Sequence, residues 1–194
     1  MAMTHAPRTT RGFTLVELMV TLAVLAILTM VAVPSFRDTI RRNRVSAASN
    51  ALLADLRYAR TEAINRGQLV SLCPSSDGSS CTADGTAWDA GWLVYTYPAG
   101  AASANAAYAA GNILLRAGEA RPGVAINAST ADVVSFGQQG QLRPGAALSF
   151  RTCIRASGGD AGENSAAVPG ARLDMSGSGS LANKALAAGD ACTP

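Results

Sequence analysis

Gly12-Phe13-Thr14-Leu15-Val16-Glu17 opens the stretch whose reading decides the fold, an apolar run that closes at Pro34-Ser35-Phe36. From Phe13 to Phe36 there are 24 residues, and Glu17 is the only ionisable one. A helix needs about 20 residues to cross a ~30 Å hydrocarbon core. Leu, Val, Ala and Met dominate the run, with Thr14, Thr21 and Thr29 interspersed. Pro34 can kink a helix or end it. The segment before the run carries Arg8 and Arg11 and no acid. A secretory signal peptide would have an apolar core of roughly 7–15 residues followed by a small-residue cleavage site. This run is too long, and Ala32-Val33-Pro34 is a poor match to such a site. A plain membrane anchor leaves Glu17 unexplained, because a carboxylate inside a bilayer costs roughly 2.5–3.5 kcal/mol on insertion scales. The carboxylate needs a partner.

Outside this run the chain is poor in charge and rich in small residues. Of 194 residues, 58 are Ala or Gly and 15% are charged. The length suits one domain plus an extension. The composition excludes a charged disordered chain, a highly basic nucleic-acid protein and a cysteine-dense mini-fold. Sixteen basic residues stand against thirteen acidic ones, and all but Lys184 of the bases are Arg. Residues 34–68 carry +4 and residues 69–194 carry −2. A DNA-binding head would usually be basic. The Arg-rich stretch reads as a solvated helix face.

Beyond Pro34 the periodicity stays helical. Val45, Ala48, Leu52, Leu56, Ala59 and Ala63 form one apolar stripe at spacings of three and four. Arg37, Arg41 and Arg44 follow another face, as do Arg57 and Arg60. Gly67 is the expected C-cap, with Arg66 in the last turn. One helix, kinked near Pro34, is therefore predicted from about Phe13 to about Arg66. Short strands are predicted at 69–73, 91–97, 113–116, 124–126, 133–136, 147–154 and 171–175, separated by Gly, Pro, Ser and Asp clusters. Leu148, Phe150 and Ile154 share one parity, and Arg151, Cys153 and Arg155 share the other. Leu173 and Met175 likewise oppose Arg172 and Asp174. This alternation suits antiparallel sheets with one face inside. Residues 99–111 and 157–170 read as mobile small-residue loops.

The string Arg11-Gly-Phe-Thr-Leu-Val-Glu17, the apolar run and Pro34 resemble the class III leader of type IV pilins and type II secretion pseudopilins. Val31-Ala-Val-Pro-Ser-Phe-Arg-Asp38, Arg57-Tyr-Ala-Arg-Thr-Glu-Ala-Ile-Asn-Arg-Gly67 and Gly91-Trp-Leu-Val94 resemble the FimT/FimU minor pilins, relatives of the type II secretion H pseudopilins. The resemblance implies cleavage between Gly12 and Phe13 by a prepilin peptidase, with N-methylation of Phe13. It implies that Glu17 pairs with the Phe13 amine of a neighbouring subunit, which supplies the missing partner. It further implies an α+β pilin-like fold, a long N-terminal helix packed on a head of antiparallel sheets. The organisation becomes a leader over 1–12, a membrane and filament-core helix over 13–36 with Pro34 near its end, an amphipathic continuation over 37–67 and a β-rich head over 68–194. The implied function is that of a minor pilin in the priming or tip complex, supporting pilus biogenesis and twitching. Other major and minor pilins are the implied partners, and the inner membrane holds the chain before assembly. The head would lie in the periplasm and finally in the extracellular pilus. The alternatives are a DNA-binding minor pilin for natural transformation and a type II secretion H pseudopilin. One tension stands: Arg37, Arg41, Arg42 and Arg44 outnumber Arg8 and Arg11 across the run, so a bare positive-inside count inverts the topology. The leader and the cysteines favour an exported head.

Four cysteines, Cys73, Cys81, Cys153 and Cys192, allow three pairings. Cys73 and Cys81 flank a short Ser-rich loop, so local closure is the least costly. That leaves Cys153 with Cys192, which would hold the C-terminal tail over the strand face carrying Arg151 and Arg155. The spacing does not suit a Cys₄ zinc site. The only histidine, His5, lies in the leader, so the processed chain would contain none. That removes histidine-based catalysis and metal ligation. No catalytic residue, metal or cofactor is assigned; Asp84 and Asp89 read as solvated loop carboxylates. Gly177-Ser-Gly-Ser-Leu-Ala182 matches a relaxed dinucleotide pattern without its βαβ context and reads as a flexible turn. Asn127-Ala-Ser129 is a glycosylation sequon by pattern only. Arg151, Arg155 and Arg172 are the candidates for DNA contact, through salt-sensitive binding to phosphates. DNA-binding FimT relatives carry Gly-Arg-x-Arg near the C-terminus. Gly177-Ser-Gly-Ser-Leu-Ala-Asn-Lys184 lacks both arginines, which weighs against that role.

Overall fold

The computed structural model describes residues 12–82, 86–101, 104–129, 133–155 and 162–194. Helix α1 spans Leu15–Arg66 and continues through Pro34. Phe13 and Thr14, expected inside the helix, precede it. Two compact units divide the chain, Met1–Asp38 and Thr39–Pro194.

In the first unit the apolar side chains of α1 have nothing to bury against. Leu15, Leu18, Leu22, Leu25, Leu28 and Val31 are all exposed. The span is long and apolar enough to cross a membrane by length and composition. Thr21 and Thr29 return their hydroxyl protons to the carbonyls of Leu18 and Ala26. These bonds satisfy polar groups in a segment that offers no other partner.

In the second unit α1 supplies the core. Val45, Ala48, Leu52, Leu56, Ala59 and Ala63, the stripe read from the sequence, are all buried. The helix ends in a Schellman motif: Gln68 N–H reaches Ala63 O at 3.3 Å, Gly67 N–H reaches Ile64 O at 3.4 Å, and Gly67 takes φ 60°. Glycine accepts that left-handed conformation without a Cβ penalty. Arg66 in the last turn pairs with Glu62 at 2.5 Å.

Two antiparallel sheets share this core. The first contains β1 (Val70–Pro74), β2 (Trp92–Thr96), β3 (Ile113–Gly118), β5 (Val134–Phe136) and β6 (Leu142–Arg143), in the order β3-β2-β1-β5-β6. The second contains β4 (Val124–Ala128), β7 (Leu148–Ile154), β8 (Ala171–Met175) and β9 (Leu181–Ala185), in the order β4-β7-β8-β9. The parity read from the sequence holds: Leu148, Phe150, Leu173 and Met175 are buried, whereas Arg151, Arg172 and Asp174 are not. Trp88 packs edge-on against Phe150 with ring centroids 5.2 Å apart. The main-chain N–H of Trp88 bonds to Ile126 O at 2.8 Å, and Ala128 N–H bonds to Thr86 O at 2.9 Å, so residues 86–88 cover the free edge of β4.

Seven strands lie where they were predicted, and β6 and β9 were not predicted. β6 is two residues long, too short to show a period. β9 buries no residue fully, so it lacks an apolar face; it exists because it pairs with β8, from Ala171↔Ala185 to Met175↔Leu181. Gly177 to Ser180 is therefore a hairpin turn between strands, with Ser176 N–H bonded to Ser180 O at 3.0 Å. No helix follows it, so the dinucleotide pattern has no structural counterpart.

One polar group is sealed into the interface between α1 and the first sheet. Asp55 is 6% exposed. Its Oδ2 accepts from Trp92 Nε1 at 2.8 Å and its Oδ1 from Arg116 Nη1 at 2.6 Å. The Arg116 guanidinium also stacks 4.6 Å over the Tyr58 ring. Opposite Trp92, Gly118 is required, because a Cβ there would stand 2.3 Å from the indole. The Arg116 side chain is 50% exposed, so solvent screens the ion pair. The fully buried Trp92 N–H is the group that most depends on Asp55. Asp55→Ala is expected to lower stability by about 2–3 kcal/mol and Asp55→Asn by less, read from urea denaturation of the detergent-solubilised chain.

Candidate assembly segment and head surface

Gly12 has no atom near its would-be Cβ, and Phe13 is 81% exposed. A peptide bond so open suits proteolysis. Thr14 caps the helix: its Oγ1 accepts the backbone N–H of Glu17 at 3.2 Å. Thr14-x-x-Glu17 is the capping-box spacing, a signal the sequence reading passed over. It places Glu17 in the first turn of α1, where the helix dipole favours a negative charge. Pro34 lies within α1, and because it has no N–H it leaves the Met30 carbonyl without that helical bond.

In the head, two disulfides are formed, Cys73–Cys81 and Cys153–Cys192. The first closes a turn organised by Asp77. Its carboxylate accepts the backbone N–H groups of Ser79 and Ser80, each at 2.8 Å, and the Ser80 hydroxyl at 2.7 Å. These bonds, the Ser79 amide first, hold the Asp77 carboxyl well below the usual range. Its contribution to the turn is therefore fully present at neutral pH and is lost progressively as the pH falls from the ordinary carboxylate range to that lowered value. The second disulfide joins β7 to the tail. Cys153, Leu186 and Cys192 bury one another there. Arg151 Nη1 donates to the carbonyls of Ala191 at 2.6 Å and Thr193 at 2.9 Å. Asn127 Nδ2 donates to Cys192 O at 3.1 Å, so the sequon side chain is engaged by the tail.

The three arginines proposed for DNA are partly brought together. Arg151 and Arg172 stand opposite each other across β7 and β8, and Lys184 stands opposite Arg172 on β9. Arg155 lies beyond the end of β7 and pairs instead with Asp89 at 3.0 Å. Arg172 pairs with Asp174 at 2.6 Å, and Arg151 is committed to the tail. The chain's own acceptors thus occupy these cations. Of the two carboxylates weighed earlier, Asp89 is a structural partner of Arg155, and Asp84 lies outside the described residues. His5 and the leader before Gly12 also lie outside them. Among the described residues no group of three metal-ligating side chains exists.

The loop after β2, described at 98–101 and 104–112, is pinned to the outer face of the first sheet. Tyr95 and Tyr97 both donate to Ala106 O, at 2.6 and 2.8 Å. Asn105 N–H bonds to Ser135 Oγ at 2.9 Å, and Ser135 meets Ser71 at 2.6 Å. Burial, and then the neighbouring Tyr97, push the Tyr95 phenol far above its usual range. The helix arginines Arg37, Arg41, Arg42, Arg44 and Arg57 are exposed, as their spacing implied, but two of the helix arginines also reach carbonyls of the head. Arg42 Nε donates to Ala167 O. Arg60 donates to Gly140 O at 2.9 Å and to Ser178 O at 3.4 Å, tying α1 to two hairpin turns. Nothing in the local sequence marks these long-range partners.

The family described as Type II transport protein GspH matches residues 48–179, about two thirds of the chain. The chain belongs to the GspH family. The prokaryotic N-terminal methylation motif matches residues 7–33, which include the Gly12–Phe13 bond and Glu17. The chain is thus a subunit of the minor pilin and pseudopilin type, with the apolar N-terminal helix of a membrane-anchored pilin. Crystal structures of the type IV minor pilin FimU of Pseudomonas aeruginosa share the fold. One form aligns with a TM-score of 0.52 at 21% identity, over 76% of this chain and 96% of FimU. A second form gives 0.51 at 21% identity, over 74% and 98%. The minor pseudopilin EpsH of the Vibrio cholerae type 2 secretion system aligns at 0.42 and 12% identity, over 76% and 99%. A GspH-family head of this kind spends one of its two disulfides on its tail. Replacing Cys153 and Cys192 together by Ala is expected to cost about 2–4 kcal/mol and to make the last residues protease-sensitive, checked by denaturation and limited proteolysis.

Proposed function

We propose that this chain is a non-enzymatic minor pilin, incorporated into the type IV pilus at its priming or tip complex and supporting pilus biogenesis and twitching. The observation that carries the reading is Glu17, a lone carboxylate in an apolar helix whose side chains are exposed. A peptidase cut between Gly12 and Phe13 would create an amine four residues before it. A neighbour's Phe13 amine would then neutralise Glu17, and neighbouring apolar helices would cover the exposed side chains. The two disulfides suit an oxidising compartment, so the chain would first sit in the inner membrane with its head in the periplasm. DNA binding is not part of this reading, because Arg151, Arg155 and Arg172 already have partners within the chain.

A second reading, a type II secretion pseudopilin, draws on the family description itself. Deletion separates the two: loss of surface pili and twitching supports the pilus role, whereas loss of protein secretion with normal piliation supports the other. Mass spectrometry of the filament-associated chain should find a mature N-terminus at methylated Phe13. Glu17→Ala is expected to leave processing intact and to reduce recovery in sheared filaments several-fold; unchanged recovery would refute the assembly role of Glu17.

A further inference from the structure

Among the described residues, two cations that line one groove of the head form no ion pair. Arg44 of α1 and Arg121 of the loop between β3 and β4 line a groove of about 390 Å³. Ala48 and Val124, both buried, also line it, together with the exposed Ala47. Gly123 keeps the groove open for Arg44, since a Cβ there would stand 3.2 Å from Nη1. The Nε of Arg121 is buried and has no hydrogen-bond acceptor. Arg42, Arg60 and Arg66 contrast with this pair, because each bonds to a carbonyl or carboxylate of the chain. Asp89, beside Arg121, accepts its main-chain N–H through the Asp89 main-chain oxygen at 2.7 Å and pairs through Oδ2 with Arg155, while its Oδ1 is buried without a hydrogen-bond partner among the described residues. Glu119, exposed two residues before Arg121, forms no ion pair with either arginine among the described residues.

Two guanidinium groups beside one apolar floor repel each other, and a donor shut off from water is costly to leave unbonded. A carboxylate between them answers both problems, and arginine binds carboxylates with directional, charge-assisted bonds. We propose that this groove receives an aspartate or glutamate side chain of a neighbouring pilin-type subunit in the assembled filament. Charge complementarity selects the acid. The small, apolar lining suits a single side chain, whereas a nucleic-acid strand requires an extended basic track. The proposal rests on the filament-subunit reading given above.

The test uses the full-length chain in cells that hold its assembly genes, with a photo-crosslinking amino acid at Ala47. Light is expected to join the chain to another subunit that carries the N-terminal methylation motif, at a peptide containing Asp or Glu. Arg44→Glu with Arg121→Glu should cut that product about tenfold or more, while Lys at both positions retains most of it. Thermal melting checks that the head still folds. If the reversed pair does not accumulate, Gln at both positions serves the same comparison. No product with such a subunit, a product with lipid, or a yield indifferent to both substitutions overturns the proposal. Recovery of the unsubstituted chain in sheared filaments is scored separately. A chain present there with an indifferent crosslink refutes the groove alone; a chain absent there refutes the filament reading.

Discussion

The head is organised by what α1 has to bury. Leu52 and Leu56 are completely covered, and each contributes roughly 1.5–3 kcal/mol relative to exposure. Between them in sequence sits Asp55, a carboxylate in the middle of the apolar stripe. That position is tolerable only because β2 brings Trp92 N–H and β3 brings Arg116 to it. The same pairing fixes how the first sheet meets the helix, and it demands Gly118 opposite the indole. The single apolar stripe already fixes which face of the helix is buried. The buried acid adds a directional constraint, because the indole N–H and the guanidinium share it as a common acceptor.

Within one uninterrupted helix, two parts of the chain solve the burial problem in opposite ways. From Val45 onward the stripe has sheets to cover it. Before Asp38 the apolar side chains project from every side of α1 and stay exposed. Propensity does not separate these parts, because both are rich in Ala and Leu. The difference is the number of apolar faces. One face calls for a globular partner within the chain, and an all-round apolar surface calls for lipid or other helices.

What was legible in the sequence follows the same division. The apolar span, the stripe, the Gly67 cap and seven strands all leave local signatures of period or turn chemistry. The short strand β6 and the faceless β9 do not, because their existence depends on a neighbour supplied from elsewhere in the chain. Asp55 was counted among the charges of a solvated helix, although its position between Leu52 and Leu56 marked it as unusual. Arg60 and Arg42 carried no such mark. Their partners are main-chain carbonyls more than 75 residues away in sequence, and any residue type presents a carbonyl. Of the arginines suggested for DNA, Arg151 and Arg172 were placed correctly on strand faces, whereas Arg155 lies just beyond β7. Asp174, two residues from Arg172 on one strand face, was legible as its partner; the tail carbonyls and Asp89 emerge only from the folded chain.

The loop over the first sheet has a consequence for how this surface changes over evolutionary time. It is fastened largely through Ala106 O and Asn105 N, main-chain atoms that most substitutions preserve, with Asn105 at φ 61° and Tyr108 packed edge-on against Tyr95 as the exceptions. Its outward side chains are therefore decoupled from its anchorage. Such a panel can change its chemical face from one lineage to the next while the sheet beneath keeps its register.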